Sequence, residues 1–298
     1  MYDNHREEWD KALTDVKRRK VASTWIEQDN TLDRWRHNRM YNQLRELVQF
    51  DRNMSWLTVG DGRYGTDANA LLTLGATDVM CSDISDTLLK IGHKNGFIKN
   101  FSMENAENLS FKENEFDFTL CKEAYHHFPR PHIALHEMLR VSRIGVILIE
   151  PCDASINPKI LNIIIPMIKK IFNKPTYNKH RFEEVGNYIF TISERELEKV
   201  QLGMHRQYIA YKYINDFYQE GFEFILMDSK NKADLKKINR AKKFIKIRDI
   251  LTRFGLIRPA IISALLFKHK PNHELLECLR NSGWEIRILP PNPYLKKP

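Results

Sequence analysis

The chain has 298 residues, 42% hydrophobic and 29% charged, which places it among soluble globular proteins able to bury a substantial core. Its four cysteines, Cys81, Cys121, Cys152 and Cys278, stand far apart with no C-x-x-C pair; that excludes a zinc ribbon or a disulfide framework and suits a reducing cytoplasm. Eleven of the 47 Lys/Arg and only Asp234 and Asp249 of the 38 acids fall between Lys230 and Arg258, so the formal charge of +9 resides in that one segment. The opening MYDNHREEWDKAL lacks an apolar signal region, and no run approaches the ~20 apolar residues of a spanning helix; a cytoplasmic location is expected.

Residues 1–50 read as a helical cover. Leu32, Trp35, Leu44, Leu47 and Val48 supply an apolar stripe, with Arg34, Arg36, Arg39 and Arg45 around it. Arg36 and Arg39 are either ligands for an anionic group or part of a solvated arginine face. The stretch Trp56–Ser85 then gives strand, glycine turn, helix, strand and an acidic tip. Trp56–Val59 is the first strand, Gly60, Gly62 and Gly65 form G-x-G-x-x-G, Thr66 is the expected N-cap and Gly75 the helix end. The second strand, Asp78–Ser82, carries Asp83 at its carboxyl end. Glycines allow sharp turns and close approach, a helix start offers unpaired N–H groups to an anion, and an acid at that tip can accept bonds from ribose hydroxyls.

A short helix follows over 85–91, a third strand over 97–101, and a polar loop, MENAENLSF, over 103–111. Phe116–Cys121 is the fourth strand, followed by KEAYHHFPRP. Pro131 suits the first turn of the next helix, and Val146–Ile149 is a fifth, fully apolar strand ending at Glu150. Alternation at this spacing predicts an α/β fold with a doubly wound, mostly parallel sheet and ligands at the carboxyl ends of its strands. Residues 51–155 would be this core. The remaining 156–298 would carry substrate-side helices, including the apolar ILNIIIPMIKKIF. They would add a strand over 208–214, an insertion over 216–270, a helix ending at Gly283 and a closing strand over 284–289.

The ordered series VGDGRYG, SDIS, ENAENLSF, FDFTLCKEAYHHFPRP, EMLRV and LIEP resembles class I S-adenosylmethionine-dependent methyltransferases, of the small-molecule group called type 11. The resemblance covers about residues 54–153. It implies S-adenosylmethionine as cofactor, with Gly60, Asp61, Gly62, Arg63 and Gly65 facing its methionine part and Asp83 holding ribose. Ile84 would pack on adenine, Asn105 and Ala106 would meet its amino edge, and Lys122 would line the site. Two departures stand out. Thr58 occupies the place of the family's usual acid, and Arg63-Tyr64 replace small residues, Arg63 being placed to pair with the cofactor's carboxylate and Tyr64 to narrow the site. The wording of these motifs is similar to methyltransferases associated with surface-polysaccharide synthesis, which implies O-methylation of a small or sugar-like acceptor, such as a nucleotide sugar.

A hydroxyl acceptor must lose a proton, so a base titrating near neutrality is needed. His126 and His127, after the fourth strand, are the candidates; each is also readable as a hydrogen-bonded structural histidine. Glu123, Glu150 and His180 rank lower, and Tyr125 with Glu150, His180, Arg36 and Arg39 are weak candidates for substrate contact. Glu150 with Asp153 is too small a set for a metal, and none is expected. The basic segment 230–258, with Phe244, Ile247, Leu251, Phe254 and Ile257 at helical spacing, is either a solvated face or a peripheral contact with an anionic membrane. No zinc-finger, RNP or KH signature accompanies the charge, so nucleic acid is not expected. Two other functions stay open: an NAD(P)-dependent oxidoreductase using the same glycine turn, with Tyr208 and Lys212 giving Y-x-x-x-K, and a non-catalytic binding protein on a methyltransferase scaffold.

Overall fold

The computed structural model describes residues 2, 6, 7, 10, 11, 14–153, 155–173, 181–183 and 185–295. Ahead of the sheet stand α1 (Val16–Glu27), α2 (Leu32–Tyr41) and α3 (Arg45–Phe50). Five strands with three helices between them follow in β1 (Ser55–Val59), α4 (Thr66–Leu74), β2 (Asp78–Asp83), α5 (Thr87–Lys94), β3 (Asn100–Met103), β4 (Phe116–Lys122), α6 (Pro131–Val141) and β5 (Ser142–Pro151). The C-terminal part contributes α7 (Ile160–Ile171), α8 (Glu194–Gly203), β6 (Tyr208–Ile214), α9 (Lys232–Arg253), β7 (Ile261–Phe267), α10 (His273–Asn281) and β8 (Glu285–Ile288).

All eight strands join one sheet in the order β3-β2-β1-β4-β5-β7-β6-β8. The pairings from β3 to β5 are parallel, whereas β7 runs antiparallel to both β5 and β6, and β8 antiparallel to β6. Order reverses between β1 and β4, so a crevice opens above their carboxyl ends, where doubly wound sheets bind ligands. Each face has its own core. Residues of α3, α4 and α10 pack on one side with Trp56 and Phe118, whose rings stack at 5.0 Å; α6 and α8 cover the other.

Two expectations change here. The insertion ends at residue 260, not 270, because Ile261–Phe267 is a strand buried at every position and hydrogen-bonded on both sides. Its run IISALLF, apolar but for Ser263, lacks the alternation that marks a half-exposed strand, so periodicity alone does not separate it from buried helix. The strand expected over 97–101 runs instead from Asn100 to Met103 as β3, while the closing strand expected over 284–289 is β8, at the sheet edge.

Candidate active site

The glycine turn brings the crevice walls into contact. Gly60 and Gly65 have φ of +79° and +77°, and a Cβ on Gly60 would fall 2.5 Å from that of Ala124. A Cβ on Gly62 would fall 2.8 Å from the Asp83 carboxyl, so only glycine lets the turn close over that acid. Thr66 is not the N-cap of α4; the cap position is Gly65, whose missing side chain leaves the first N–H groups unpaired. Asp61 supplies the bonds instead, accepting from Asp67 N at 2.9 Å and Ala68 N at 2.8 Å. Thr58 Oγ1 donates to the same carboxylate at 2.9 Å, so position 61 provides the acid absent from position 58. Burial, then the neighbouring Asp67, push Asp61 up to about 8.

Two adjoining chambers open above the turn, sharing Gly60, Arg63, Glu123 and His127. The first, about 150 Å³, is lined by Asp83, Ile84, Asn105 and Ala106 together with Glu104, Glu107 and Phe128. Burial pushes Asp83 up to about 7, against the N–H bonds it accepts from Ser85, Gly62 and Ile84. Asn105 Oδ1 accepts from Glu107 N at 3.0 Å, which fixes the loop after β3. Glu107 is clasped in turn by Arg130 and the Tyr2 hydroxyl.

The second chamber, about 350 Å³, is built from distant parts of the chain. Trp25, Asp33, Arg36 and His37 come from α1 and α2, Lys122 and Glu123 from the end of β4, and Tyr218 and Glu223 from the segment after β6. Lys122 Nζ lies 2.7 Å from His37 Nδ1 and 3.0 Å from Glu123 Oε2. Burial, helped by the Lys122 charge, holds His37 well below its ordinary range and therefore neutral. Burial opposes ionisation of Glu123, but Lys122 outweighs it and keeps the carboxylate charged. Glu123 itself has φ +49°, a left-handed conformation costly for a non-glycine residue and concentrated at functional sites.

His126 lines this chamber and donates from Nδ1 to Glu150 Oε2 at 2.5 Å. Glu150 is fully buried, and its other oxygen accepts from Ala124 N and Tyr125 N, each at 2.9 Å. Burial lowers the pKa of His126, yet the charge and hydrogen bond of Glu150 outweigh it and raise the group overall. His127 faces both chambers and pairs with Glu183 at 2.5 Å. The histidine loop is held by Phe190 N on the His126 carbonyl and by Asn187 Nδ2 on that of His127.

Most of the residues expected at a site therefore meet: Gly60, Gly62, Arg63, Asp83, Ile84, Asn105, Ala106, Lys122 and both histidines, whereas Gly65 lines neither chamber and sits against Ile98 and Cys81. Others do not. Asp61 touches the second chamber but its carboxylate serves the α4 N-terminus. Arg36 reaches the wall with its guanidinium bound by Asp33 and Asp216, while Arg39 points to the Asn215 carbonyl and lines neither chamber. Tyr125 is buried, its hydroxyl toward His132, and Glu150 acts through His126 rather than facing the cleft. Asp153 accepts from Ser155 N, so it forms no pair with Glu150. Tyr64 does not narrow the cleft; it packs with Trp25 and Leu88, fastening α1 above the turn. Tyr208 and Lys212 sit on β6, outside both chambers, with the lysine over the Trp284 ring. His180 lies outside the described residues. Asp33, His37, Tyr218 and Glu223 had no motif to announce them, since only tertiary folding brings 33–37 to 218–223.

Residues 57–149 match the family model of a methyltransferase domain. The matched stretch runs from β1 to β5 and holds the glycine turn, Asp83 and the histidine loop. No curated protein matches it in sequence. Among solved structures, the [4+2]-cyclase SpnF aligns at 16% identity and TM-score 0.48, over 77% of this chain and 80% of its own. Magnesium protoporphyrin IX methyltransferase of Synechocystis PCC 6803, solved with bound SAH, aligns at 11% and 0.44, over 78% and 84%. A SAM-dependent methyltransferase of Thermotoga maritima aligns at 16% and 0.43, over 79% and 93%.

Proposed function

From a methyltransferase domain whose crevice divides into two chambers, we propose an S-adenosylmethionine-dependent enzyme that methylates a hydroxyl of a small, sugar-like acceptor, of the kind used in surface-polysaccharide synthesis. The observation that carries the reading is the His126–Glu150 dyad on the wall of the second chamber, directly beside the first. The residues present fit the cofactor. Asp83 lines the first chamber directly under Gly62, where there is no room for a Cβ, which suits a paired ribose contact. Arg63 faces both chambers and, among the described residues, makes no ion pair; it lies 5.4 Å from the Trp25 ring and feels the charge of Asp33, and its guanidinium is placed to meet an α-carboxylate. Ile84, Asn105 and Ala106 supply an apolar surface and an amide for the adenine edge.

When bound, the cofactor supplies an electrophilic methyl carbon; the protein's share is position and proton traffic. Trp25 and Tyr218 offer flat faces, and Arg36, Glu123 and Glu223 polar groups, to a hydroxylated acceptor in the second chamber. Holding the acceptor oxygen in line lowers the barrier by up to ~7–11 kcal/mol in ideal cases. His126 takes the hydroxyl proton at Nε2, because Glu150 holds Nδ1–H and fixes the tautomer. The buried Glu150 then stabilises the imidazolium until the proton passes to solvent.

Incubation with methyl-labelled S-adenosylmethionine and a panel of nucleotide sugars, read by product mass, tests this. A methylated product is expected, with His126→Asn lowering kcat by roughly 10²–10⁴-fold while S-adenosylhomocysteine still binds. Absence of any methylated hydroxyl acceptor, or unchanged turnover in His126→Asn, contradicts the reading.

A further inference from the structure

Helix α7 is unlike every other helix of the chain: ILNIIIPMIKKI, with not one buried residue. Ile163, Ile164, Ile168 and Met167 all lie open, and Ile171 and Phe172 are 75% and 67% exposed. Single exposed hydrophobics are ordinary, but a contiguous set of this size marks a surface that meets something apolar. Its end is joined to a second such surface. Leu161 N donates to the Leu256 carbonyl, and Arg258 N to Asn162 Oδ1, so α7 abuts the turn that ends α9. There Phe254 is 74% exposed and continues a strip through Ile250 and Ile247 on α9.

Charge identifies the occupant. Lys159, Lys169 and Lys170 bracket the apolar residues of α7, and Lys243, Lys246 and Arg253 flank the strip on α9, all exposed. We propose that α7 and the C-terminal half of α9 together form an interfacial docking surface for an anionic lipid bilayer. Isoleucine and phenylalanine side chains enter the acyl boundary while lysines reach the headgroups. A second copy of the chain is a poorer fit, since lysine is depleted in protein interfaces. The helix cannot span: its 12 residues reach about 18 Å against a hydrocarbon core of about 30 Å. Its place matters to the cleft. The excursion leaves the sheet at Pro151, a wall of the second chamber, and returns through Asn187 and Phe190, which hold the histidine loop. Docking would thus bear on the segment that flanks that chamber.

Vesicle flotation of the full chain tests this without reference to methyl transfer. Phosphatidylcholine vesicles containing phosphatidylglycerol should carry the protein, pure phosphatidylcholine should not, and added salt should release it. Ile164→Glu/Ile168→Glu should lower partitioning by roughly tenfold or more, with unchanged melting and unchanged binding of S-adenosylhomocysteine. Equal capture by neutral vesicles, no capture at low salt, or capture that the double variant leaves intact overturns the proposal. So does light scattering that shows a dimer in the wild type and a monomer in the double variant.

Discussion

Asp83 and His126 carry the functional account at the scale of single residues, and burial governs both. Asp83 is pushed up to about 7, so in the free protein near neutrality it is partly protonated. A carboxylate accepts ribose hydroxyls best when ionised, and the proton therefore competes with the ligand. The folded pKa is raised, so ligand affinity is lost as pH falls through about 7, by up to about tenfold per unit. Calorimetry with S-adenosylhomocysteine from pH 8 to 5.5 checks this, and a flat profile would speak against Asp83 as the ribose partner. His126 moves the other way in consequence. As a base it must be neutral, and Glu150 keeps it protonated to higher pH than a free imidazole. Activity should rise with pH along a limb set by that group, and Glu150→Gln should shift the limb to lower pH while reducing kcat. A limb that stays in place would remove Glu150 as the positioning residue.

Among the elements, the strand–turn–helix unit shows how far sequence reasoning reaches. G-x-G-x-x-G and the acid at the tip of β2 were readable because their physics is local: positive φ, close approach, a fixed strand length. The cap of α4 was not, because Asp61 bonds Asp67 N and Ala68 N from six and seven residues away, in place of Thr66. Replacing Asp61 with Ala should destabilise the chain by about 0.5–2 kcal/mol, the usual worth of a cap, as read from denaturant midpoints at pH 7. An unaltered midpoint would mean that water serves those N–H groups equally well. The departures at Arg63 and Tyr64 acquire a purpose only in three dimensions. Tyr64 packs against α1 with Trp25, whose ring lies 5.4 Å from the Arg63 guanidinium on the wall of the second chamber.

For the molecule as a whole, the alternating first half was legible from β1 to β5, since each strand and helix has its own period and punctuation. The C-terminal part was less so. Strand β7 is a run, apolar but for Ser263, between two antiparallel partners, and nothing in its composition tells its place in the sheet. The second chamber was legible only in part, because its walls come from α1, α2 and the segment after β6. The buried ion pair of Arg36 with Asp216, the bond from Arg39 to the Asn215 carbonyl and that from Leu32 N to the Ile225 carbonyl tie α2 to the segment after β6. No helix among the described residues is long and apolar enough to cross a membrane.

The account rests on a cleft that grips a nucleoside through Asp83 beneath the glycine turn, and isothermal titration with S-adenosylhomocysteine tests that most directly. The wild type should bind one molecule per chain, and Asp83→Ala and Gly62→Ala should each weaken binding by roughly tenfold or more, one by removing the charged acceptor and the other by forcing a methyl against it. No heat from the wild type, full affinity in both variants, or preferential binding of NAD would contradict it.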